Sequence, residues 1–122
     1  MGKVKILIVD DNEGVVLFLQ MLLEHEGYEV MVAKDGREGY LAYLLFEPDL
    51  VITDIQMPVK SGIELVQLIR HRNPGVKAIY MSGDPGRFRA ALEEEKDRYH
   101  AGYLTKPFSK NELITSISKC SA

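Results

Sequence analysis

Residues 50–62 read LVITDIQMPVKSG, and they pass from an apolar run to a stretch of mainly polar and turn-forming residues. Three of the first four residues are apolar, and they follow one another without the alternation of a half-exposed strand. A short continuous run of this kind is typical of a parallel strand that helices cover on both faces. An acid, Asp54, follows the run directly, and Pro58 and Gly62 come soon after it. The stretch therefore predicts a buried strand that ends at a carboxylate.

Four further apolar runs are similarly short, and amphipathic segments separate them. The five predicted strands are Val4–Val9, Tyr28–Ala33, Leu50–Thr53, Ala78–Met81 and Gly102–Thr105. The five predicted helices span about 14–25, 37–46, 61–72, 86–97 and 109–120. Strands that alternate with helices predict an α/β layered fold with a mostly parallel sheet. No linker-like stretch interrupts the pattern, so residues 1–122 are expected to form one domain.

Two of the predicted helices carry expectations about their faces. The second presents three leucines at helical spacing, which predict its buried side: Leu41, Leu44 and Leu45. The fourth has few apolar positions, namely Phe88, Ala91 and Leu92. Residues 93–98 of this helix are all charged, which predicts a solvated face. Its sparse apolar anchoring also indicates an element that is free to shift.

Composition narrows the function classes. The 122 residues are 46% hydrophobic and 27% charged, as in ordinary globular proteins. One cysteine excludes a disulfide framework or a cysteine-based zinc site, and a net charge of −3 gives no indication of nucleic-acid binding. No apolar run approaches the roughly 20 residues that span a bilayer. The first run is too short for a signal peptide and ends at two acids, so we expect a cytoplasmic protein without a membrane partner.

Polar groups follow four of the five predicted strands. They are Asp10 and Asp11 after the first strand, Asp54 after the third, Ser82 and Gly83 after the fourth, and Lys106 and Pro107 after the fifth. Each of them alone has an ordinary explanation as a turn residue or a helix start. Together they fall on the edge beyond the carboxyl ends of parallel strands, where this architecture binds its ligands.

The chemistry of this set favours phosphoryl transfer. Three clustered carboxylates repel one another unless a cation is present or their pKa values rise. A hard divalent cation suits oxygen ligands, and Mg²⁺ is the usual choice. Such a cation and the ammonium group of Lys106 would together neutralise an incoming phosphoryl group. A carboxylate beside them can then act as a nucleophile and form an aspartyl phosphate.

Four motifs carry a family resemblance over essentially the whole chain. They are Asp10-Asp11, the Asp-x-x-Met-Pro-x-x-x-Gly pattern of residues 54–62, Ser82-Gly83 and Lys106-Pro107-Phe108. In this order and spacing the chain is similar to the receiver domains of two-component response regulators. The resemblance implies a flavodoxin-like, doubly wound (βα)5 fold with a five-stranded parallel sheet in strand order 2-1-3-4-5.

The resemblance also implies a role for each site residue. Asp54 would accept the phosphoryl group. Asp11 would bind Mg²⁺ directly and Asp10 through water, with Asp54 and the backbone carbonyl of Gln56 as further ligands. Ser82 and Lys106 would each contact a phosphoryl oxygen. These roles follow from the family's motif and not from spacing.

Three further features come from the same resemblance. Gly83 stands where a small side chain is usual, because a larger one would crowd the phosphoryl group. The Lys106–Pro107 peptide bond is expected to be cis, which X-Pro sequences make feasible. Tyr103 matches the aromatic switch residue, which turns inward when Ser82 is drawn toward the phosphoryl group.

The resemblance also implies partners, and it implies residues that control the lifetime of the phosphorylated state. The donor would be a histidine kinase or a histidine phosphotransfer domain. Readout is expected on the face of helix four, strand five and helix five, near Tyr103, Arg87, Phe88 and Arg89, through a homodimer or a downstream protein. Gln56 and Asp84, each two residues beyond a site residue, would tune dephosphorylation.

Other functions have less support in the sequence. Phosphohydrolases that form an aspartyl phosphate usually carry a second acid at the position of Gln56. A flavin or dinucleotide binder needs a phosphate-friendly loop, but residues 10–13 read DDNE and no G-x-G-x-x-G is present. A pseudo-receiver that only docks partners would not need all five site residues, which are Asp10, Asp11, Asp54, Ser82 and Lys106.

The chain ends after helix five, so we expect a stand-alone receiver or one domain of a longer regulator or hybrid kinase.

Overall fold

The computed structural model describes residues 2–121. Its elements in chain order are β1 (Lys5–Val9), α1 (Glu13–His25), β2 (Glu29–Ala33), α2 (Gly36–Phe46), β3 (Leu50–Asp54), α3 (Gly62–Arg72), β4 (Lys77–Ser82), a 3₁₀ helix (Pro85–Phe88), α4 (Arg89–Tyr99), β5 (Gly102–Thr105) and α5 (Lys110–Ser121). All ten elements expected from the sequence are present, and only the bounds of α4 differ from the expectation by more than one residue.

The strands form one parallel sheet in the order β2-β1-β3-β4-β5. This is the order that the resemblance implied, so the expected fold class is confirmed. Strand β1 pairs with β2 on one side and with β3 on the other, and the direction of winding reverses there. In sheets of this kind, ligands bind beyond the carboxyl ends of the strands at the reversal. Asp10 follows β1 and Asp54 ends β3, so both lie at this point.

Two apolar cores cover the two faces of the sheet. One core packs α1 and α5 against it, with Leu19 and Leu113 among its members. The other packs α2 and α3, with Tyr43 and Val66 among its members. Every residue of β3 is buried, as its continuous apolar run predicts. The strand ends therefore project from a tightly packed frame, which holds the groups at this edge in place.

Side-chain caps fix helix starts that follow the strand ends. The side chain of Asn12 accepts a hydrogen bond of 3.1 Å from the backbone N–H of Val15 at the start of α1. Capping boxes begin two other helices: Ser61 with Glu64 at α3, and Ser109 with Glu112 at α5. Each box satisfies backbone N–H groups that would otherwise lack partners.

The prediction of which face of α2 is buried is wrong. Leu41, Leu44 and Leu45 are 53%, 37% and 83% exposed, and the helix buries its small residues and one tyrosine instead: Gly36, Gly39, Ala42 and Tyr43. A Cβ atom at Gly39 would meet side-chain atoms of Leu65 and Val9 at 3.0–3.2 Å. Small residues therefore let α2 lie close to the sheet and to α3, and this close contact decides which face is buried.

The fourth helix also departs from expectation. The chain first forms the 3₁₀ helix, Pro85–Phe88, and α4 then continues to Tyr99. Most of the charged run is exposed as predicted, but Glu95 is only 3% exposed, so the prediction of a solvated face is wrong at this residue. None of the helices within residues 2–121 is long and apolar enough to cross a membrane.

Candidate functional site

Three carboxylates meet at the carboxyl edge of the sheet. Asp10 and Asp11 follow β1, and Asp54 is the last residue of β3. Oxygen atoms of the three side chains lie within 4.8 Å of one another. Asp10 and Asp54 are buried, whereas Asp11 is exposed. The acids that stand apart in the sequence therefore form one cluster with an open side.

Asp10 is held through both of its carboxylate oxygens. Oδ1 accepts a hydrogen bond of 2.9 Å from the backbone N–H of Asn12, and Oδ2 accepts one of 2.8 Å from Nζ of Lys106. The backbone N–H of Asp10 donates to the carbonyl oxygen of Ala33 at 3.1 Å. These contacts fix the orientation of a carboxylate that is 1% exposed.

The backbone around Asp54 is fixed by its neighbours. The hydroxyl of Thr53 donates to the carbonyl oxygen of Asp54 at 2.9 Å. The N–H of Ile55 donates to the carbonyl of Met81 at 3.0 Å, and the carbonyl of Ile55 accepts from the N–H of Gly62 at 2.9 Å. A Cβ atom at position 62 would overlap the carbonyl oxygen of Asp54. This close approach gives a physical reason for the glycine that ends the motif.

Lys106 supplies the positive charge of the site. Its Nζ lies 2.8 Å from Oδ2 of Asp10 and 3.6 Å from Oδ1 of Asp54. Its backbone N–H donates to the carbonyl oxygen of Ser82 at 2.8 Å, which ties the end of β5 to the end of β4. The Lys106–Pro107 peptide bond is cis.

Charge at this edge is unbalanced. Burial raises the pKa of Asp54, the negative charges of Asp10 and Asp11 raise it further, and the charge of Lys106 only partly opposes them. Burial alone would lower the pKa of Lys106, but its hydrogen bond to Asp10 and the charges of Asp10 and Asp54 outweigh burial and raise it. The ammonium group therefore stays charged, and one ammonium does not neutralise three acids.

A depression of ≈ 470 Å³ opens beside the cluster. It is lined by Asp54, Gln56, Met57, Pro58, Ser82, Gly83 and Lys106. The hydroxyl oxygen of Ser82 accepts a hydrogen bond of 3.0 Å from the N–H of Asp84, whose side chain is exposed. Among the described residues, leaving out its two chain neighbours, none has an atom within 4 Å of a Cβ atom placed at Gly83, so these residues leave space open in front of the serine. Of the two residues expected to tune dephosphorylation, Gln56 lines the depression.

The donor atoms at this edge fit Mg²⁺. The cluster offers carboxylate oxygens from three side chains, and oxygen is the ligand that this hard cation prefers. The exposed side of the cluster leaves room for the waters that Mg²⁺ retains. Burial is the largest cause of the raised pKa of Asp54, and the negative charges of Asp10 and Asp11 add a repulsion that a divalent cation would relieve.

The expected readout face adjoins the site. Tyr103 lies on β5 opposite Tyr80 of β4, it is half-buried, and its buried hydroxyl has no hydrogen-bond partner within the part of the chain that the structure describes. A groove of ≈ 1070 Å³ between α4, β5 and α5 includes Tyr103 in its lining. Arg87 and Arg89 are exposed, and Phe88 is half-buried. This face therefore combines a half-buried aromatic side chain with an open groove.

Two supporting residues escaped the sequence reasoning. Asn12 both caps α1 and orients Asp10, and its place directly before a helix was an available signal for a cap. Thr53 anchors the carbonyl of Asp54, and nothing in the sequence distinguishes this contact from an ordinary strand threonine. Five site residues were found because each stands at a strand end: Asp10, Asp11, Asp54, Ser82 and Lys106. The family resemblance supplied three others: Gln56, Asp84 and Tyr103.

Comparisons with known proteins agree with this geometry. The model of the response regulator receiver domain matches residues 6–118. The alkaline phosphatase synthesis transcriptional regulatory protein PhoP of Bacillus subtilis is 35% identical over 93% of this chain and 46% of its own length. The chemotaxis protein CheY of Halobacterium salinarum is 34% identical over 93% of both chains. The response regulator TrrA of Thermotoga maritima, solved in complex with Mg²⁺–BeF, has a TM-score of 0.82 at 32% identity and covers 96% of this chain and 98% of its own.

The matched relatives differ in length. This chain spans about half the length of the transcriptional regulators among them, 46–48% for three from different bacteria. It spans almost the whole of the chemotaxis protein. The shared part in every case is the segment that carries the acidic cluster and the lysine.

Proposed function

This chain belongs to the response regulator receiver domain family, and we propose that it accepts a phosphoryl group on Asp54 as the switch of a two-component system. One observation carries the proposal: the carboxylate of Asp54 clusters with those of Asp10 and Asp11, and it lines an open depression together with Lys106. The Mg²⁺–BeF complex of TrrA, which is similar in fold and sequence, supports Mg²⁺ as the cofactor.

The cluster defines how Mg²⁺ would be held. Asp11 is exposed and would bind the ion directly, while Asp10 would bind it through water because Lys106 already occupies one of its oxygens. Asp54 and the backbone carbonyl of Gln56 would complete the protein ligands. When bound, the cation offsets the negative charge of the carboxylates and of the phosphoryl oxygens.

Phosphoryl transfer then needs little movement of the protein. A carboxylate oxygen of Asp54 attacks phosphorus, an O–P bond forms, and the P–N bond to the donor histidine breaks with its electron pair left on the imidazole. Nζ of Lys106 pairs with one phosphoryl oxygen, and the hydroxyl of Ser82 donates to another. Because β3, β4 and β5 hold these groups in a packed frame, catalysis comes from positioning and electrostatic stabilisation.

The modified state is read at a distance from the acceptor. Ser82 moves toward the phosphoryl group, and Tyr103 responds on the neighbouring strand. The ring of Tyr103 is half-buried and its hydroxyl has no partner among residues 2–121, which supports a side chain with more than one position. Partners of the groove between α4, β5 and α5 would be a second copy or a downstream protein, and the donor would be a histidine kinase or phosphotransfer domain.

The chain acts as a switch with a limited lifetime. Water attacks the phosphorus of the aspartyl phosphate, the O–P bond to Asp54 breaks, and inorganic phosphate leaves. This restores the protein, so hydrolysis resets the switch instead of turning over an external substrate. We assign this role to residues 1–122 as one receiver domain, whether it stands alone or within a longer regulator.

Acetyl phosphate and Mg²⁺ test the proposal directly. We expect intact mass to rise by one labile phosphoryl group in the wild type and to stay unchanged in Asp54→Asn, with the fold preserved. Asp97→Asn is the matched control, because it makes the same change at an exposed residue of α4 and should be modified normally. A phosphoryl group mapped to another residue would contradict the assignment, and steady release of phosphate from organic esters would favour a hydrolase.

A further inference from the structure

A buried ionic cluster ties α4 to the rest of the domain. The carboxylate of Glu95 on α4 accepts hydrogen bonds from both terminal nitrogens of Arg70 on α3, at 3.0 and 2.8 Å. The hydroxyl of Tyr80 on β4 donates to the same carboxylate at 2.7 Å. Glu95 is 3% exposed and Tyr80 is fully buried. We call these three residues the α4 clamp.

The clamp is matched in charge, and Glu95 is fully paired, but the buried Nε of Arg70 has no hydrogen-bond partner among the described residues. One carboxylate faces one guanidinium group in a two-pronged pair, which is the strongest geometry for such a contact. Burial raises the pKa of Tyr80, and its hydrogen bond to Glu95 raises it further, so the phenol remains a donor. Each oxygen of Glu95 therefore has a partner. A contact of this kind resists separation because each group would be left buried and unpaired.

Further contacts fix the same end of the helix. The guanidinium group of Arg70 stacks over the ring of Tyr99, 3.5 Å from its centre. His100 adopts a left-handed backbone with φ 57°, and its N–H caps the helix on the carbonyls of Glu95 and Lys96. The second half of α4 is therefore joined to α3, to β4 and to the turn that follows it.

The beginning of α4 has much weaker anchoring. In the part of the chain that the structure describes, neither the 3₁₀ helix nor α4 starts with a side-chain cap. Arg89 and Ala90 are exposed, and the apolar side chains described at this end are no more than half-buried: Phe88, Ala91 and Leu92. Elements with few buried contacts and uncapped ends open most easily.

The clamp lies next to the switch residues on the sheet. Tyr80 precedes Ser82 by two residues on β4, so the two side chains lie on the same face of the sheet. Tyr80 also stands opposite Tyr103 in the pairing of β4 with β5. A shift of Ser82 would therefore start next to the α4 clamp, on the strand that leads to the loosely held start of α4.

We propose that the α4 clamp makes the second half of α4 a fixed pivot, so that switching moves only the segment 83–92 and leaves residues 93–100 in place. The proposal rests on the proposed function, because it assumes that phosphorylation of Asp54 starts the movement. It assigns to Glu95, Tyr80 and Arg70 the role of positioning residues that determine which part of the readout face changes.

NMR spectra of the whole chain, recorded with Mg²⁺ and with beryllofluoride in place of the phosphoryl group, test the pivot. We expect the wild type to show backbone shift changes at Asp54, Ser82 and residues 83–92, with changes at 93–100 several-fold smaller. In Glu95→Gln, which keeps the shape but removes the charge, the changes should extend through residue 100. Tyr80→Phe is a milder variant that keeps the ion pair, and it should give an intermediate pattern.

Glu94→Gln is the matched control, because it makes the same change one residue away at a side chain that is 66% exposed. Amide exchange without beryllofluoride gives an independent measure: exchange at 93–100 should be about tenfold faster in Glu95→Gln and unchanged in Glu94→Gln. Equal shift changes in both halves of α4 of the wild type would overturn the pivot alone. No response at Asp54 or Ser82 would contradict the proposed function, and the pivot with it.

Discussion

The protein buries charge in two places, and it treats the charge differently in each. In the α4 clamp, one carboxylate meets one guanidinium group and one phenol, and each oxygen of Glu95 has a donor. At the edge of the sheet, the ammonium group of Lys106 pairs with two of three clustered carboxylates, those of Asp10 and Asp54, and the third, Asp11, is exposed. The first cluster is balanced in charge, whereas the second has an excess of negative charge.

The difference shows what each cluster is suited for. A matched buried pair gives no affinity for a further ion, and breaking it is costly, so it serves to hold elements together. An unmatched cluster carries internal repulsion, which adds to the effect of burial in raising the pKa of Asp54. That repulsion is relieved when a cation binds, so the unbalanced edge gives up some stability of the free protein in return for a binding site.

The largest expected effect comes from breaking the matched cluster. Glu95→Ala leaves the guanidinium group of Arg70 buried without its partner, and the free energy of unfolding should fall by about 3–5 kcal/mol. Glu94→Ala is the control and should change it by less than about 0.5 kcal/mol, because that side chain is exposed. Urea unfolding of the three proteins measures both values. Equal stabilities for the two variants would show that the clamp is not a structural anchor.

Magnesium should act on the unmatched cluster alone. At a concentration one hundred times its dissociation constant, Mg²⁺ should stabilise the wild type by about 2.7 kcal/mol. Asp11→Ala should lose most of this gain, since it removes a ligand, while Glu94→Ala should keep all of it. Thermal unfolding with and without Mg²⁺ is the measurement. A gain that survives in Asp11→Ala would place the ion elsewhere.

Removing one acid should stabilise the metal-free protein. The pKa of Asp54 is raised on folding by burial and by its acidic neighbours, so its favourable contribution is present below the ordinary carboxyl pKa and is lost as pH rises through the raised value. Asp54→Asn avoids that loss and should gain on the order of 1 kcal/mol at pH 7 without Mg²⁺.

The pH dependence gives this prediction its sign. The advantage of Asp54→Asn should shrink as pH falls toward 4, because the wild-type carboxyl group then becomes protonated. Asp11→Ala removes a weaker repulsion on the same carboxyl group and should give a smaller gain. Urea unfolding in a chelator across this range checks both variants. A wild type that is more stable than Asp54→Asn at pH 7 without Mg²⁺ would contradict the account of charge imbalance.

The sequence predicted the acidic cluster at the edge of the sheet, but it did not predict the α4 clamp. Asp10, Asp54 and Lys106 each stand at a strand end, and the topology of a parallel sheet brings strand ends together. Glu95 stands in a run of identical residues, Glu93–Glu95, and only one of the three is buried. Its partners are 25 and 15 residues away, so the contact depends on how α3, β4 and α4 pack.

Helix α2 illustrates the same limit for apolar residues. Leu41, Leu44 and Leu45 have the spacing of a buried stripe, yet all three are exposed. The glycines of the opposite face allow the helix to approach β1 and α3 closely. Periodicity identifies a helix and its faces, but it does not say which face the neighbouring elements can accommodate.

The smallest expected effect concerns the rim of the unmatched cluster. Substitutions there should change the rate of dephosphorylation but not the stability of the fold. Gln56 lines the depression beside Asp54, and Asp84 follows Ser82 by two residues. Water that attacks phosphorus must approach opposite the aspartyl oxygen, and side chains at the rim can orient it or exclude it. Changing the charge or length of either residue should alter the hydrolysis rate several-fold, about 1 kcal/mol in the barrier.

The structure sharpens this expectation for the two residues. Gln56→Ala should have the larger effect, because both side chains are exposed but only Gln56 is among the described residues that line the depression. Folding and Mg²⁺ affinity should hardly change in Gln56→Ala, since only the backbone carbonyl of this residue would contact the ion. Decay of the phosphoprotein, followed by mass for the wild type, Gln56→Ala and Asp84→Ala, is the measurement. Identical half-lives would mean that water reaches the phosphoryl group without passing these side chains, so its lifetime would be set by the buried groups alone.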